Sequence, residues 1–277
     1  MAKDMSTFTV LGASGFIGRH LVEHLAQRGL ACFSPERSAE LHQRHLGSVI
    51  YCIGLTADFR SRPLETVEAH VTKLSELLKG CDFDSLLYLS SARVYRGHEG
   101  EAREDDPVQV NPLQDDHIYN ISKLMGESLS LNCGRPARVA RLSAVYGSDY
   151  GSENFLSRII REAITKKKIL LETALDSQRD YISVNDVVET LIKIAVGGRE
   201  RIYNVASGQS VSHLELTNAI SEITGCQVEV KEHAPKLSFP PIDISRIRNE
   251  FGFQPARILD ELKGLVDSYR RRIESHG

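Results

Sequence analysis

The stretch Gly12-Ala13-Ser14-Gly15-Phe16-Ile17-Gly18 decides the fold of this chain. It follows the short apolar run 8–11, which is typical of a buried strand. It leads into residues 16–25, where apolar side chains recur at helical spacing. A strand, a glycine-rich turn and an amphipathic helix in this order predict the dinucleotide-binding unit of an α/β fold.

Each glycine of the turn has its own physical purpose. Gly12 permits the tight turn, Gly15 lets the backbone approach a pyrophosphate at the helix N-terminus, and Gly18 lets helix and strand pack closely. The predicted cofactor contacts of this turn are Gly12, Ser14, Gly15, Phe16, Ile17 and Gly18.

Outward from this turn, strands and helices alternate. Apolar runs predict strands at 31–33, 48–53, 85–89 and 138–142. Helical spacing predicts helices at 64–78 and 119–131, and later at 155–165, 184–195, 214–224 and 258–272. This alternation predicts a doubly wound parallel Rossmann sheet. We expect a dinucleotide-binding domain with the catalytic residues in 1–150. A smaller, mainly substrate-binding lobe is expected in 151–277, with some return to the Rossmann core.

Composition excludes several classes of protein. The 277 residues carry a net charge of −3, which gives no basis for nucleic-acid binding. None of the five cysteines lies at metal-ligand spacing, so we expect no metal and a reducing, cytoplasmic location. Without a run of about 18 apolar residues, we expect no membrane span.

Two charged residues follow the second predicted strand. Glu36 lies 24 positions after Gly12, where a carboxylate favours the ribose hydroxyls of NAD. Arg37 beside it favours the 2′-phosphate of NADP. The sequence therefore leaves NAD and NADP open, and both residues are candidate cofactor contacts.

Ser91, Tyr119 and Lys123 are the candidate catalytic residues. Tyr119 and Lys123 lie one turn apart on a predicted helix, and Ser91 follows the strand 86–90 at its carboxyl end. A free tyrosine titrates near 10, far from neutral pH. A cation about 4 Å away contributes roughly 4 kcal/mol at an effective dielectric of about 20. Lys123 is thus expected to lower the pKa of Tyr119 so that the phenol can act as an acid or base. We expect Tyr119 and Lys123 to contact the cofactor as well, and Ser91 to contact the substrate oxygen.

Together these motifs resemble the extended short-chain dehydrogenase/reductases, specifically the NAD-dependent epimerase/dehydratase family acting on nucleotide sugars. The resemblance rests on the glycine turn, on Leu89-Ser90-Ser91-Ala92-Arg93-Val94-Tyr95 and on Tyr119-Asn120-Ile121-Ser122-Lys123. It extends through 141–147, 179–187 and 203–205. It implies NAD or NADP as cofactor, a nucleotide-diphosphate sugar as substrate, and a homodimer. Arg179 is implied to contact the diphosphate and Tyr181 to shape that pocket.

Four departures from the family pattern narrow the function. Ala92 and Arg93 stand where dehydratases and decarboxylases carry carboxylates, which disfavours loss of the C6 hydroxyl as water. Ala144 replaces an asparagine that contacts substrate.

His70 replaces an asparagine in the helix facing the site, either as a substrate contact or as a packed neutral imidazole. Residues 37–47 are too few for the usual helix and extra strand, so we expect a shortened adenosine side.

The sequence therefore predicts an NAD(P)-dependent nucleotide-sugar 4-ketoreductase or C4 epimerase with Tyr119 as acid or base. Two alternatives stay open. One is a reductase of a carbonyl compound that is not a nucleotide sugar, against which Arg179 argues. The other is a non-catalytic dinucleotide-binding sensor, against which the retained Tyr119 and Lys123 argue.

Overall fold

A computed structural model describes residues 7–56 and 58–275. Its strands are β1 Phe8–Leu11, β2 Cys32–Phe33, β3 Ser48–Tyr51, β4 Ser85–Ser91, β5 Ala137–Leu142, β6 Ala144–Tyr146, β7 Lys168–Leu171, β8 Gln178–Ser183, β9 Ile202–Val205, β10 Ser210–Ser212 and β11 Gln227–Val230. Its α-helices are α1 Phe16–Gln27, α2 Pro63–Val67, α3 Lys73–Gly80, α4 His117–Asn132, α5 Phe155–Thr165, α6 Val184–Gly197, α7 His213–Thr224, α8 Ser245–Phe251 and α9 Ile258–Glu274.

Six strands form one parallel sheet in the order β2-β1-β3-β4-β5-β9. Alternate residues of β4 point to opposite faces. Leu87 and Leu89 pack with α1 and α6 on one face, whereas Leu86 and Tyr88 pack with α3 on the other. The prediction of a doubly wound Rossmann sheet is confirmed.

The connection between β2 and β3 is short, as the residue count predicts. Residues 34–47 contain neither a helix nor a strand. As a result β2 is an edge strand of two residues, paired only with β1 at Phe8 and Thr9. The sheet ends there, on the side where the adenosine half of a dinucleotide would bind.

The helix predicted at 64–78 spans α2 and α3, joined by a π-helical turn at Glu68–Thr72. A π turn accommodates one extra residue in an α-helix. Two tyrosine hydroxyls donate to carbonyls of this turn. Tyr51 Oη bonds to Ala69 O at 2.7 Å and Tyr88 Oη to His70 O at 3.2 Å. The turn is therefore fixed from the sheet beneath it.

Helix α4 carries Tyr119 and Lys123 and lies close to the sheet. Gly126 makes this approach possible, because a Cβ atom there would lie 2.2 Å from Tyr88 Oη. The spacing between helix and sheet is thus set by a glycine one turn or less from Lys123 on α4.

A second hydrophobic core is formed by buried residues between Tyr146 and Tyr269. Helices α5, α7 and α9 pack on the parallel pair β7–β11 and beside the sheet β10-β8-β6. The chain returns to the Rossmann core between these elements, since β9 pairs with β5 and α6 packs on α1. Among the described helices, none is both long and apolar enough to cross a membrane.

Candidate active site

A cleft of about 620 Å³ opens at the carboxyl ends of the sheet strands, between the two cores. The sequence-predicted residues that line it are Gly15, Phe16, Ile17, Gly18, Ser91, Tyr119, Lys123, Arg179 and Tyr181. Gly12 and Ser14 are not among the lining residues, and Ser14 is exposed. Ligands of open α/β sheets bind at this edge.

The glycine turn fits a pyrophosphate. Gly12 adopts φ +84°, and a Cβ atom there would lie 2.9 Å from the Cys52 carbonyl carbon. A Cβ atom at Gly18 would lie 2.3 Å from the Gly12 carbonyl oxygen. Phe16 and Ile17 begin helix α1 and line the cleft, and within 7–56 and 58–275 no acceptor takes their backbone N–H groups. Those groups suit the phosphates of a dinucleotide.

Glu36 and Arg37 lie outside the lining of the cleft. Both are exposed, just beyond the two-residue strand β2. At this open edge both side chains lie in solvent. Their positions favour neither NAD nor NADP as the cofactor.

The structure brings Ser91 and Tyr119 together at the inner end of the cleft. Ser91 is the last residue of β4, and Tyr119, only 4% exposed, lies in the first turn of α4. Burial raises the pKa of Tyr119, while hydrogen bonding with Ser91, the charge of Arg93 and a contact with Thr56 lower it. Both hydroxyls can therefore contact one substrate oxygen.

Lys123 is buried, and its charge is not among the causes that shift the pKa of Tyr119. Its Nζ donates to the Leu89 carbonyl oxygen at 2.8 Å, and burial lowers its pKa to about 7. The cation that lowers the pKa of Tyr119 is Arg93, whose guanidinium carbon lies 5.8 Å from the tyrosine ring centre. Lys123 lies one turn deeper, where its ammonium lines the cleft.

His70 does not line the cleft, because its ring is fully buried against Tyr119 at 5.3 Å between ring centres. Leu55 N donates to Nε2 at 3.2 Å, so Nδ1 carries the proton and donates to Ser122 Oγ at 2.9 Å. That hydroxyl donates to the Tyr119 carbonyl at 2.9 Å. Burial lowers the pKa of His70 to about 2. Both nitrogens are therefore used within the protein, as expected for a packed neutral imidazole and not for a substrate contact.

Arg179 and Tyr181 of β8 line the opposite wall. The Arg179 guanidinium carbon lies 4.8 Å from the ring centre of Phe239, which also lines the cleft. No carboxylate within 7–56 or 58–275 forms an ion pair with Arg179. The Tyr181 hydroxyl is buried and has no hydrogen-bond partner in the same residues. This wall offers an uncompensated cation and an unused hydroxyl.

Sequence reasoning missed a cluster of arginines at the inner end. Arg60, Arg93 and Arg96 all bind the carboxylate of Asp116, the residue before α4. Arg60 and Arg93 line the cleft. In the sequence, Arg93 was noted only because it stands where dehydratases carry a carboxylate. Arg60 and Asp116 belong to none of the sequence motifs.

Comparison with known proteins identifies the family. The model of the NAD dependent epimerase/dehydratase family matches residues 8–206. The chain belongs to this family. The expectation of an extended short-chain dehydrogenase/reductase is confirmed, and this epimerase/dehydratase homologue is an NAD(P)-dependent enzyme.

Three proteins similar to this family member are matched over nearly their whole length. A dTDP-4-dehydro-6-deoxy-D-allose reductase from a Streptomyces species is 25% identical over 95% of this chain and 96% of its own. MoeE5, in complex with UDP-glucose and NAD, has a TM-score of 0.82 at 23% identity, covering 96% of this chain and 99% of its own. RMD from Pseudomonas aeruginosa, complexed with NADPH, has a TM-score of 0.76 at 21% identity, covering 96% and 99%. The cofactor expectation, NAD or NADP, is confirmed.

Proposed function

We propose that this enzyme reduces the 4-keto group of a sugar linked to a nucleoside diphosphate. One arrangement carries the proposal. Ser91 and Tyr119 meet at the inner end of a cleft whose opposite wall holds Arg179 without a carboxylate partner among the described residues. The inner end suits a reacting carbonyl, and the wall suits a diphosphate, which a guanidinium binds through two parallel hydrogen bonds.

In this proposal each residue has a defined task. Ser91 donates a hydrogen bond to the substrate carbonyl oxygen, and Tyr119 gives that oxygen its proton. Lys123 would hold the ribose of NADH or NADPH, and the cofactor, when bound, would supply the hydride. His70 and Ser122 fix the backbone of Tyr119, so the phenol keeps its place over the substrate.

A dehydratase is disfavoured by the residues after Ser91. Eliminating water requires a second acid or base beside the tyrosine. Ala92 offers none, and Arg93 is a cation bound to Asp116. The similarity to a 4-keto sugar reductase over 95% of this chain agrees with reduction without elimination.

Reduction is favoured over C4 epimerisation by the missing adenosine wall. An epimerase of this family returns the same hydride and gains from retaining its cofactor, whereas a reductase must exchange it. Here 34–47 contributes no helix or strand to hold the adenosine. Losing one buried ring contact and one or two hydrogen bonds costs about 2–3 kcal/mol. That corresponds to roughly a hundredfold in dissociation constant.

The test is the dinucleotide content of the purified protein. We expect protein prepared without added cofactor to release less than about a tenth of an equivalent of NAD or NADP on denaturation. The same preparation should oxidise NADH or NADPH only when a 4-keto nucleotide sugar is present. Near-stoichiometric NAD in the supernatant, together with interconversion of C4 epimers, would overturn the reductase assignment in favour of a C4 epimerase.

A further inference from the structure

A buried ion pair lies on the helix that carries Tyr119 and Lys123, outside the proposed mechanism. Arg141 of β5 binds the carboxylate of Glu127 on α4: its Nη2 donates to Oε2 at 2.6 Å, and its Nε donates to Oε1 at 3.0 Å. Both side chains are buried, and neither lines the cleft. A buried ion pair loses so much hydration that well-packed apolar residues often stabilise a fold equally well. Stability alone therefore does not account for this pair.

The carboxylate of Glu127 connects the strand of Ser91 to the helix of Tyr119. Ser90 Oγ donates to Glu127 Oε1 at 2.5 Å, and Ser90 directly precedes Ser91 at the end of β4. On α4, Tyr119, Lys123 and Glu127 follow one another at intervals of four residues, so they share one face of the helix. Burial lowers the pKa of Lys123 to about 7, and the nearby charge of Glu127 opposes that shift. One carboxylate therefore joins the two elements on which the proposed reaction depends.

Arg141 fixes that carboxylate from the other side. Its Nη1 donates to Tyr95 Oη at 2.8 Å, and that hydroxyl donates to Asn204 Oδ1 of β9 at 2.8 Å. All of these side chains are buried. A buried polar network whose hydrogen bonds are formed is rigid. The carboxylate therefore keeps one position, and its hydrogen bond with Ser90 holds the end of β4 at that position.

We propose that Glu127 is a positioning residue, which through Ser90 sets the distance between the Ser91 hydroxyl and the Tyr119 phenol. The inference rests on the proposed function, because it takes these two hydroxyls as the groups that contact the reacting oxygen. Such alignment matters, since a displacement of about 1 Å can lower a rate by about a hundredfold. The effect is expected in turnover and not in substrate binding, because neither Glu127 nor Arg141 lines the cleft.

Ser90→Ala tests the connection without disturbing the ion pair. Removing Glu127 itself would leave Arg141 buried without its partner, which strongly destabilises a protein. Ser130→Ala is the matched control, because Ser130 is also buried but donates to the Gly126 carbonyl oxygen of its own helix at 2.9 Å. Each variant loses one buried hydroxyl and its hydrogen bond, and urea denaturation establishes that both fold.

The measurements are the turnover of a 4-keto nucleotide sugar at saturating NADH or NADPH, and crystal structures of wild type and both variants. We expect Ser90→Ala to lower kcat at least about tenfold while KM for the sugar changes less than about threefold. In the same variant the distance from Ser91 Oγ to Tyr119 Oη should change by more than about 0.5 Å. Ser130→Ala should match the wild type in both measurements.

The outcomes are distinct. An unchanged hydroxyl distance in Ser90→Ala, or a kcat equal to that of Ser130→Ala, would overturn the positioning role and leave the reductase proposal standing. A loss confined to KM would assign Ser90 to substrate binding and overturn the positioning role as well. If the wild type reduces no 4-keto nucleotide sugar, the proposed function is wrong, and the hydroxyl distances in the crystal structures still decide the positioning role.

Discussion

The two ends of the cleft, the proposed reacting end at Tyr119 and the proposed adenosine end beyond β2, are built in opposite ways. At the reacting end Tyr119 and Lys123 are 4% and 5% exposed and held by hydrogen bonds from two layers of structure. At the adenosine end a two-residue strand gives way to exposed Glu36 and Arg37. Electrostatic interactions are strong where water is excluded and weak where it is not. The side chains at the first end are therefore fixed in position, whereas those at the second end offer few contacts that could hold a cofactor.

The largest expected effect is at the phenol. Tyr119→Phe keeps the ring packed against His70 but removes the proton donor, and should lower turnover of a 4-keto sugar by at least about a hundredfold. Steady-state kinetics with saturating cofactor measures this. Tyr269→Phe is the matched control, because that hydroxyl is also buried and hydrogen-bonded but lies outside the cleft. A folded Tyr119→Phe enzyme with turnover close to that of the wild type would remove the phenol from the mechanism.

Next in size is a pH effect on stability at Lys123. Its pKa is about 7 in the folded state, against 10.5 for a lysine in water. Between these values the unfolded chain holds a proton that the folded chain lacks, so the free energy of unfolding rises with pH. Its slope from this group is at most about 1.4 kcal/mol per pH unit.

Urea denaturation at pH 7, 8 and 9 measures that slope, which Lys123→Met should flatten. Lys193→Met is the control, because Lys193 is 40% exposed and pairs with Glu189 on the surface of α6. Identical slopes in wild type and Lys123→Met would mean that the ammonium is not desolvated, and the contrast between the two ends would weaken.

The smallest effects are expected at the adenosine end. Charge contacts in solvent contribute about 0.2–1 kcal/mol. Glu36→Ala should therefore weaken NADH binding, and Arg37→Ala NADPH binding, by no more than about fivefold. Fluorescence titration of each reduced cofactor measures both. A loss of two orders of magnitude in either variant would show that the chain closes around the adenosine, and the two ends would no longer differ in this way.

Much of the fold was predictable because its signals are local. The glycine turn and helix α4 follow from spacing alone, and the shortened edge follows from counting the residues between two strands. The π turn at Glu68–Thr72 was not predictable, since apolar periodicity tolerates one extra residue. The arginine cluster was not either, because Asp116 is 23 positions from Arg93 and 56 from Arg60. Only the folded loops bring these charges together.

The π turn also makes this part of the fold sensitive to the loss of a single residue. Successive residues of an α-helix are rotated by about 100°, so the extra residue sets the phase of α3 relative to α2. Deleting it would turn Leu74 and Leu77 out of the core, where they are 0% and 5% exposed. It would also withdraw the carbonyls that Tyr51 and Tyr88 hold. Deleting one residue of this turn is therefore expected to damage the layer that supports Tyr119.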